Sequence, residues 1–149
     1  MIKFGIIGFG RIGRRHAEHA SKFGQLVSVC DINESNLKDA SENYNCSTYI
    51  DINKFLIENK NIIDVVAICT PNGLHAEHSI LSSNNGFNVL CEKPMALNSY
   101  DCGEMIKASE ANNKRLFIVK QNRFNPPISA LKNAIDDNKL GKILSLQLN

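Results

Sequence analysis

The chain has 149 residues, 43% of them hydrophobic and 21% charged; this suits one compact domain burying roughly 70% of its unfolded surface and excludes a disordered or collagen-like polymer. Seventeen Lys and Arg against fifteen Asp and Glu leave a formal charge of +2, too weak and too scattered for a nucleic-acid groove or a membrane-binding surface. No segment approaches the ~20 apolar residues of a membrane span, and the N-terminal MIKFGIIGFG lacks the long apolar run of a signal peptide, so the expected location is the cytoplasm.

Taken in chain order, apolar runs at residues 2–7, 26–30, 63–69, 88–91 and 116–119 are short and two-sided, as strands buried on both faces are. Between them Ile12, His16, Ala20 and Phe23, then Leu37, Ala40 and Tyr44, then Cys102, Met105, Ile106 and Ser109 recur at helical spacing, each set making one apolar stripe. Caps stand where such helices should begin: Asn33 before Glu34, Asp51 before Ile52, and Asn98 or Ser99 ahead of Asp101. Alternating strands and helices imply right-handed crossovers onto a parallel sheet, a doubly wound α/β fold.

The five cysteines (Cys30, Cys46, Cys69, Cys91 and Cys102) are odd in number, with no C-x-x-C pair and no interleaved His spacing, so neither a disulfide framework nor a metal site is expected. They read as reduced packing residues. Beyond Pro126 and Pro127 the pattern changes: Ile128, Leu131 and Ile135 predict a helix over 127–139 that closes near Gly141. Leu144, Leu146 and Leu148 then alternate with polar residues as in a half-buried strand. An amphipathic strand with nothing following it to cover it is expected to belong to a longer protein. The expected division is a doubly wound domain over 1–120 and, over 121–149, a linker helix and first strand leading into a second domain.

Gly8-Phe9-Gly10-Arg11-Ile12-Gly13 follows the first strand and opens the first helix. In that context Gly8 permits the tight turn, Gly10 lets the backbone approach a pyrophosphate, and Gly13 lets the helix pack close, with its N-terminal amides aimed at the anion. Asp31 ends the second strand eighteen residues past Gly13, close to the ~20-residue spacing of an acid that receives the adenosine ribose hydroxyls. A carboxylate there favours NAD and repels the extra phosphate of NADP, which Ile32 and Asn33 could not bind. The alternatives are a chance glycine turn and, for Asp31, an acid that caps the next helix. A methyltransferase also uses a glycine loop followed by an acid, but the next two motifs fall outside that reading.

Thr70-Pro71-Asn72 follows the strand ending at Cys69, and Glu92-Lys93-Pro94 follows the strand ending at Cys91, both at the edge where open α/β sheets bind ligands. Turn formation explains the prolines alone. Lys93, held in a proline-restricted turn, is the leading catalytic candidate: a cation there can assist deprotonation of a hydroxyl. A lysine acts as a base only where desolvation or a nearby cation favours its neutral form; otherwise it positions or polarises.

Taken together, GFGRIG at 8–13, Asp31, TPNGLH at 70–75, CEKPMAL at 91–97 and QNRFNP at 121–126 resemble the Gfo/Idh/MocA oxidoreductases, named for glucose-fructose oxidoreductase and inositol dehydrogenase. The resemblance implies an NAD(P)-binding Rossmann domain, followed by a C-terminal α/β domain that forms the substrate site and the homo-oligomer interface. It places Phe9, Arg11 and Ile12 with the glycines on the cofactor, Thr70, Pro71, Asn72 and His75 along it toward the nicotinamide, Glu92 at the ribose or ring, and Lys93 as the active-site lysine. That lysine commonly works beside a His and an Asp of the second domain. Asn122 and Arg123 lead toward the substrate, and Arg123 would meet an anionic group, or else tie the interdomain helix to the sheet. His16, His19 and His78 are expected to serve packing or solvation only, and Arg14 and Arg15 to be solvated charges.

The activity implied is hydride transfer between nicotinamide and a secondary alcohol of a sugar, cyclitol or sugar nucleotide, with no nucleic acid or membrane partner. The QNRFNPP form resembles members linked to surface-polysaccharide precursors, which implies a UDP-N-acetyl sugar, a uronic acid oxidised at C3. The alternatives are a redox-neutral glycosidase and a non-catalytic NAD-binding sensor module, and this chain alone is expected to bind NAD without turnover.

Overall fold

In the computed structural model, which describes residues 1–147, six strands form one wholly parallel sheet: β1 (Lys3–Ile7), β2 (Gln25–Cys30), β3 (Ser47–Tyr49), β4 (Val65–Ile68), β5 (Asn88–Cys91) and β6 (Leu116–Ile118), in the order β3-β2-β1-β4-β5-β6. The crossovers are α1 (Arg11–Phe23), α2 (Glu34–Tyr44), α3 (Ile52–Glu58), α4 (His75–Asn84) and α5 (Ser99–Ala111). This is the doubly wound α/β sheet expected, and its order reverses between β1 and β4, where ligands of such sheets bind.

Alternation along the strands decides which residues meet which helices. Ile6, Val29 and Ala67 share one core cluster with Ala17 and Ala20 of α1 and Ala40 of α2. Their neighbours Ile7, Cys30, Ile68 and Cys91 join another cluster with Phe55 and Leu56 of α3 and Met105 of α5. Both faces of the central strands are therefore sealed. The register pairs Ile7 with both Cys30 and Ile68, and Ile68 with Cys91, so the carboxyl ends of β1, β2, β4 and β5 align along one edge.

Three expected caps are made: Asn33 accepts from Ser35 N–H, Asp51 from Lys54 N–H, and Asn98, rather than Ser99, from Asp101 N–H. The sequence reading omitted β3, because Ser-Thr-Tyr carries no apolar run and becomes a strand only by pairing with residues 28–30 of β2.

Contacts divide the chain at Val119, and the described residues from Lys120 onward form a second unit. It holds a 3-10 turn, Gln121–Phe124, and α6 (Pro126–Asp136). The helix stops short of the expected 139, because the chain caps at Asp137 and turns through Asn138 at φ 55°. The expected strand does not form over 143–147, where Leu144 and Leu146 are exposed and among the described residues no neighbouring strand supplies backbone partners. Leu148 lies outside the described residues.

Candidate functional site

The turn after β1 begins at Gly8, which sits at φ 91° with its N–H donating to Cys30 O at 2.8 Å. A β-carbon at Gly8 would lie 2.7 Å from the carbonyl carbon of Cys69, so the close approach of β1 and β4 requires the glycine twice over. A β-carbon on Gly13 would collide with the carbonyl oxygen of Gly8, and this contact lets α1 start hard against the turn. Gly10 differs from both: it is the N-cap of α1 and faces open space. No side chain caps this helix and its first turn holds no acid, so its leading amides and dipole are turned toward that space.

Asp31 faces the turn. Its Oδ2 accepts the Phe9 N–H at 2.5 Å and its Oδ1 the Asn33 N–H at 2.8 Å, leaving further acceptor positions on both oxygens. The helix-capping role falls to Asn33 instead. Beside Asp31 opens a groove of about 680 Å³, walled by Gly8, Gly10, Arg11 and Ile12 of the turn, by Ile32 and Asn36 after β2, by Ile50, Asp51 and Ile52 after β3, and by Thr70, Pro71, Leu74 and His78 after β4. Two carboxylates, Asp31 and Asp51, line it against one cation, Arg11. Burial, then Asp31 and Asp51, pushes the Cys30 thiol in its floor up to about 12.

Several predicted residues occupy other places. The Phe9 ring is fully buried, edge-on to Tyr44 with the Arg14 guanidinium 5.5 Å above it; it anchors the turn, and only its amide faces the site. Arg14 is not a merely solvated charge, because its Nε donates to Asp39 at 2.8 Å and it also reaches Asn36, joining α1 to α2. His75, expected along the cofactor, is buried: one ring nitrogen lies 2.7 Å from Pro94 O and the other 2.9 Å from Thr70 O. Both partners are acceptors, so whichever ring nitrogen carries hydrogen donates to one of these two turns. His75 thus ties the turn after β4 to the turn after β5. Asn72 opens an exposed 3-10 turn, Asn72–Leu74.

At the end of β5, Lys93 is exposed, and among the described residues its ammonium makes no hydrogen bond or ion pair; the Lys93-Pro94 peptide bond is cis. Glu92 is not free: Oε1 accepts from His16 Nε2–H at 2.8 Å and Oε2 from the Lys93 N–H at 3.1 Å. Asn122 and Arg123 lie exposed in the 3-10 turn of the second unit.

His16 and His78, expected to serve packing or solvation only, both make side-chain contacts at the site. His78 lines the groove rather than an exposed helix face, its Nδ1 3.2 Å from Thr70 Oγ1, and burial lowers its pKa. Its spacing, one helical turn beyond His75, was the available signal. For His16 the signal was a polar residue inside the apolar stripe of α1. All five cysteines are free thiols. Among the described residues no group of three or more His, Cys, Asp or Glu could hold a metal, and no helix is long and apolar enough to cross a membrane.

Comparison with known proteins matches residues 2–120 to the model of the Gfo/Idh/MocA family, described as an oxidoreductase family with an NAD-binding Rossmann fold. Glucose-6-phosphate 3-dehydrogenase of Bacillus subtilis is 31% identical over 151 residues, a match covering 100% of this chain and 42% of that protein. Myo-inositol 2-dehydrogenase of Thermotoga maritima is 31% identical over 143 residues, 95% of this chain and 42% of that protein. Among solved structures, the WlbA dehydrogenase of Chromobacterium violaceum, in complex with NADH and UDP-GlcNAcA, superposes with a TM-score of 0.88 at 38% identity, covering 95% of this chain and 41% of that one. WlbA of Bordetella pertussis, with the same two ligands, gives 0.89 at 33% over equal shares. The chain therefore spans about two fifths of the length of these relatives.

Proposed function

This chain belongs to the Gfo/Idh/MocA oxidoreductases, and from that premise we propose that it is the NAD-binding part of a dehydrogenase acting on a secondary alcohol of a sugar nucleotide, with a UDP-N-acetylated uronic acid as the substrate class. The observation that carries the reading is the conjunction, along one sheet edge, of an uncapped glycine turn, an acid that lines the groove beside it, and a lysine whose ammonium has no partner among the described residues. The substrate class is supported by the two WlbA structures, which hold UDP-GlcNAcA.

Bound there, NAD supplies the hydride acceptor. The leading amides of α1 and Arg11 would hold the pyrophosphate, and Asp31 would receive the adenosine ribose hydroxyls. The exposed Ile32 and Ile50 offer apolar walls for the flat base. Asp51 adds a second negative charge to the groove, which strengthens the preference for NAD over NADP. The Thr70 turn and the Glu92-Lys93-Pro94 turn guide the nicotinamide end, joined as they are by His75. Lys93 would orient or polarise the reacting hydroxyl of the substrate. Asn122 and Arg123 serve the substrate, Arg123 through an anionic group.

A narrower reading of this chain taken alone, which spans about two fifths of its relatives' length, is that it binds NAD and turns nothing over. Calorimetric titration with NAD and NADP tests the cofactor assignment, and addition of UDP-GlcNAcA with NAD tests turnover. Saturable NAD binding, NADP at least about tenfold weaker and no NADH are expected. Failure to bind either nucleotide, or equal affinity for both, refutes the cofactor assignment, and NADH formation refutes the narrower reading.

A further inference from the structure

His16 stands three residues beyond Gly13 on α1, and its side chain is only 18% exposed although polar. With His19 it lines a small cavity whose other walls are apolar, Ile6, Ala20, Ala67 and Leu90 among them, so an apolar residue here would avoid the cost of desolvating an imidazole. What the imidazole adds is its bond to Glu92 Oε1 at 2.8 Å. Glu92 is itself 13% exposed, so losing this donor leaves a largely buried carboxylate short of a partner. Its other oxygen accepts the amide hydrogen of Lys93 at 3.1 Å. One carboxylate thus receives a hydrogen bond from the helix that begins at the glycine turn and another from the backbone of the lysine.

We infer that His16 is a positioning residue: it orients the Glu92 carboxylate, and through it the Lys93 turn, toward the nicotinamide end of the dinucleotide. The helix that takes the pyrophosphate and the turn that carries Lys93 then act as one unit, so the two halves of the cofactor are read in fixed relation. This rests on the NAD-binding reading above.

The test compares two ligands of this chain by calorimetry: NAD, and ADP, which keeps the adenosine and diphosphate and lacks the nicotinamide riboside. His16→Ala is expected to weaken NAD by about tenfold while ADP stays within about twofold, the size of effect of one hydrogen bond to a charged group. His16→Gln, whose amide can still donate to Glu92, is expected to recover NAD binding to within about threefold of the parent. Equal weakening of NAD and ADP in His16→Ala, unchanged NAD binding, or no recovery in a His16→Gln variant that unfolds at the parent temperature would each overturn the inference. If the parent chain binds neither ligand, the cofactor reading falls and this inference falls with it, an outcome the parent titration alone distinguishes.

Discussion

Replacing Asp31 by Asn preserves shape and removes one acceptor. In the parent, Oδ2 accepts the Phe9 N–H at 2.5 Å and Oδ1 the Asn33 N–H at 2.8 Å; an amide has a single acceptor oxygen, so in either flip its NH2 faces a backbone donor. A hydrogen bond to a charged acceptor contributes about 1.5–3 kcal/mol, and the half-buried position argues for the lower end. A loss of about 1.5–2 kcal/mol lowers Tm by about 3–8 °C in a domain of this size. Binding should suffer separately. A ribose diol that donates to both oxygens loses a charged acceptor, so NAD affinity is expected to drop about 10- to 100-fold. NADP, freed from one of two repelling carboxylates, should change far less. Thermal unfolding by circular dichroism reads the first effect and calorimetric titration the second, because the chain has no Trp to report binding. A lowered Tm with an unchanged NAD to NADP ratio would mean that Asp31 holds the turn and does not read the ribose. An unchanged Tm would mean that the two backbone bonds contribute nothing.

Gly10→Ala and Gly13→Ala should separate binding from folding: a methyl at Gly10 enters open space, so Tm holds while NAD binding weakens, whereas one at Gly13 meets the Gly8 carbonyl and costs about 1–3 kcal/mol. Tm and NAD titrations of the pair check this. Burial raises the Cys30 and Cys91 thiols from 9.0 to about 12 and about 11. Above pH 9 the unfolded chain has released protons that the folded one keeps, so stability should fall with rising pH by up to about 1.4 kcal/mol per pH unit for each thiol, and a Cys30→Ser variant should flatten the slope in denaturant titrations. His78 is shifted the opposite way, its pKa lowered first by burial; below its ordinary value of 6.5 the unfolded chain gains the proton first, so stability should decline as pH falls through that range and a His78→Gln variant should decline less. Denaturant midpoints across mildly acid pH measure the difference.

Much of the fold was legible because the information is local. Buried parallel strands leave apolar runs, crossover helices leave one stripe each, and Asn33, Asp51 and Asn98 cap where their side chains predict. The glycine turn was equally readable, since φ 91° at Gly8 and the contact at Gly13 are demands that other residue types meet poorly. Where the reading went astray, the deciding partner lay far along the chain. Tyr49 belongs to a strand only because Cys30 pairs with it, and Leu144 and Leu146 form no strand because no neighbour among the described residues pairs with them.

The site divides in the same way. The sequence by itself determined the turn, its acid, the two strand-end motifs and thereby the family, since each is a run of adjacent residues with one physical requirement. Only the tertiary structure decided what those residues touch. It buried Phe9 and His75, turned His78 toward Thr70, and set His16 against Glu92 across 76 positions of chain. Such contacts arise where α1, α4 and β5 converge on the same edge of the sheet, and a hydrogen bond between side chains leaves no periodic trace in either segment that makes it.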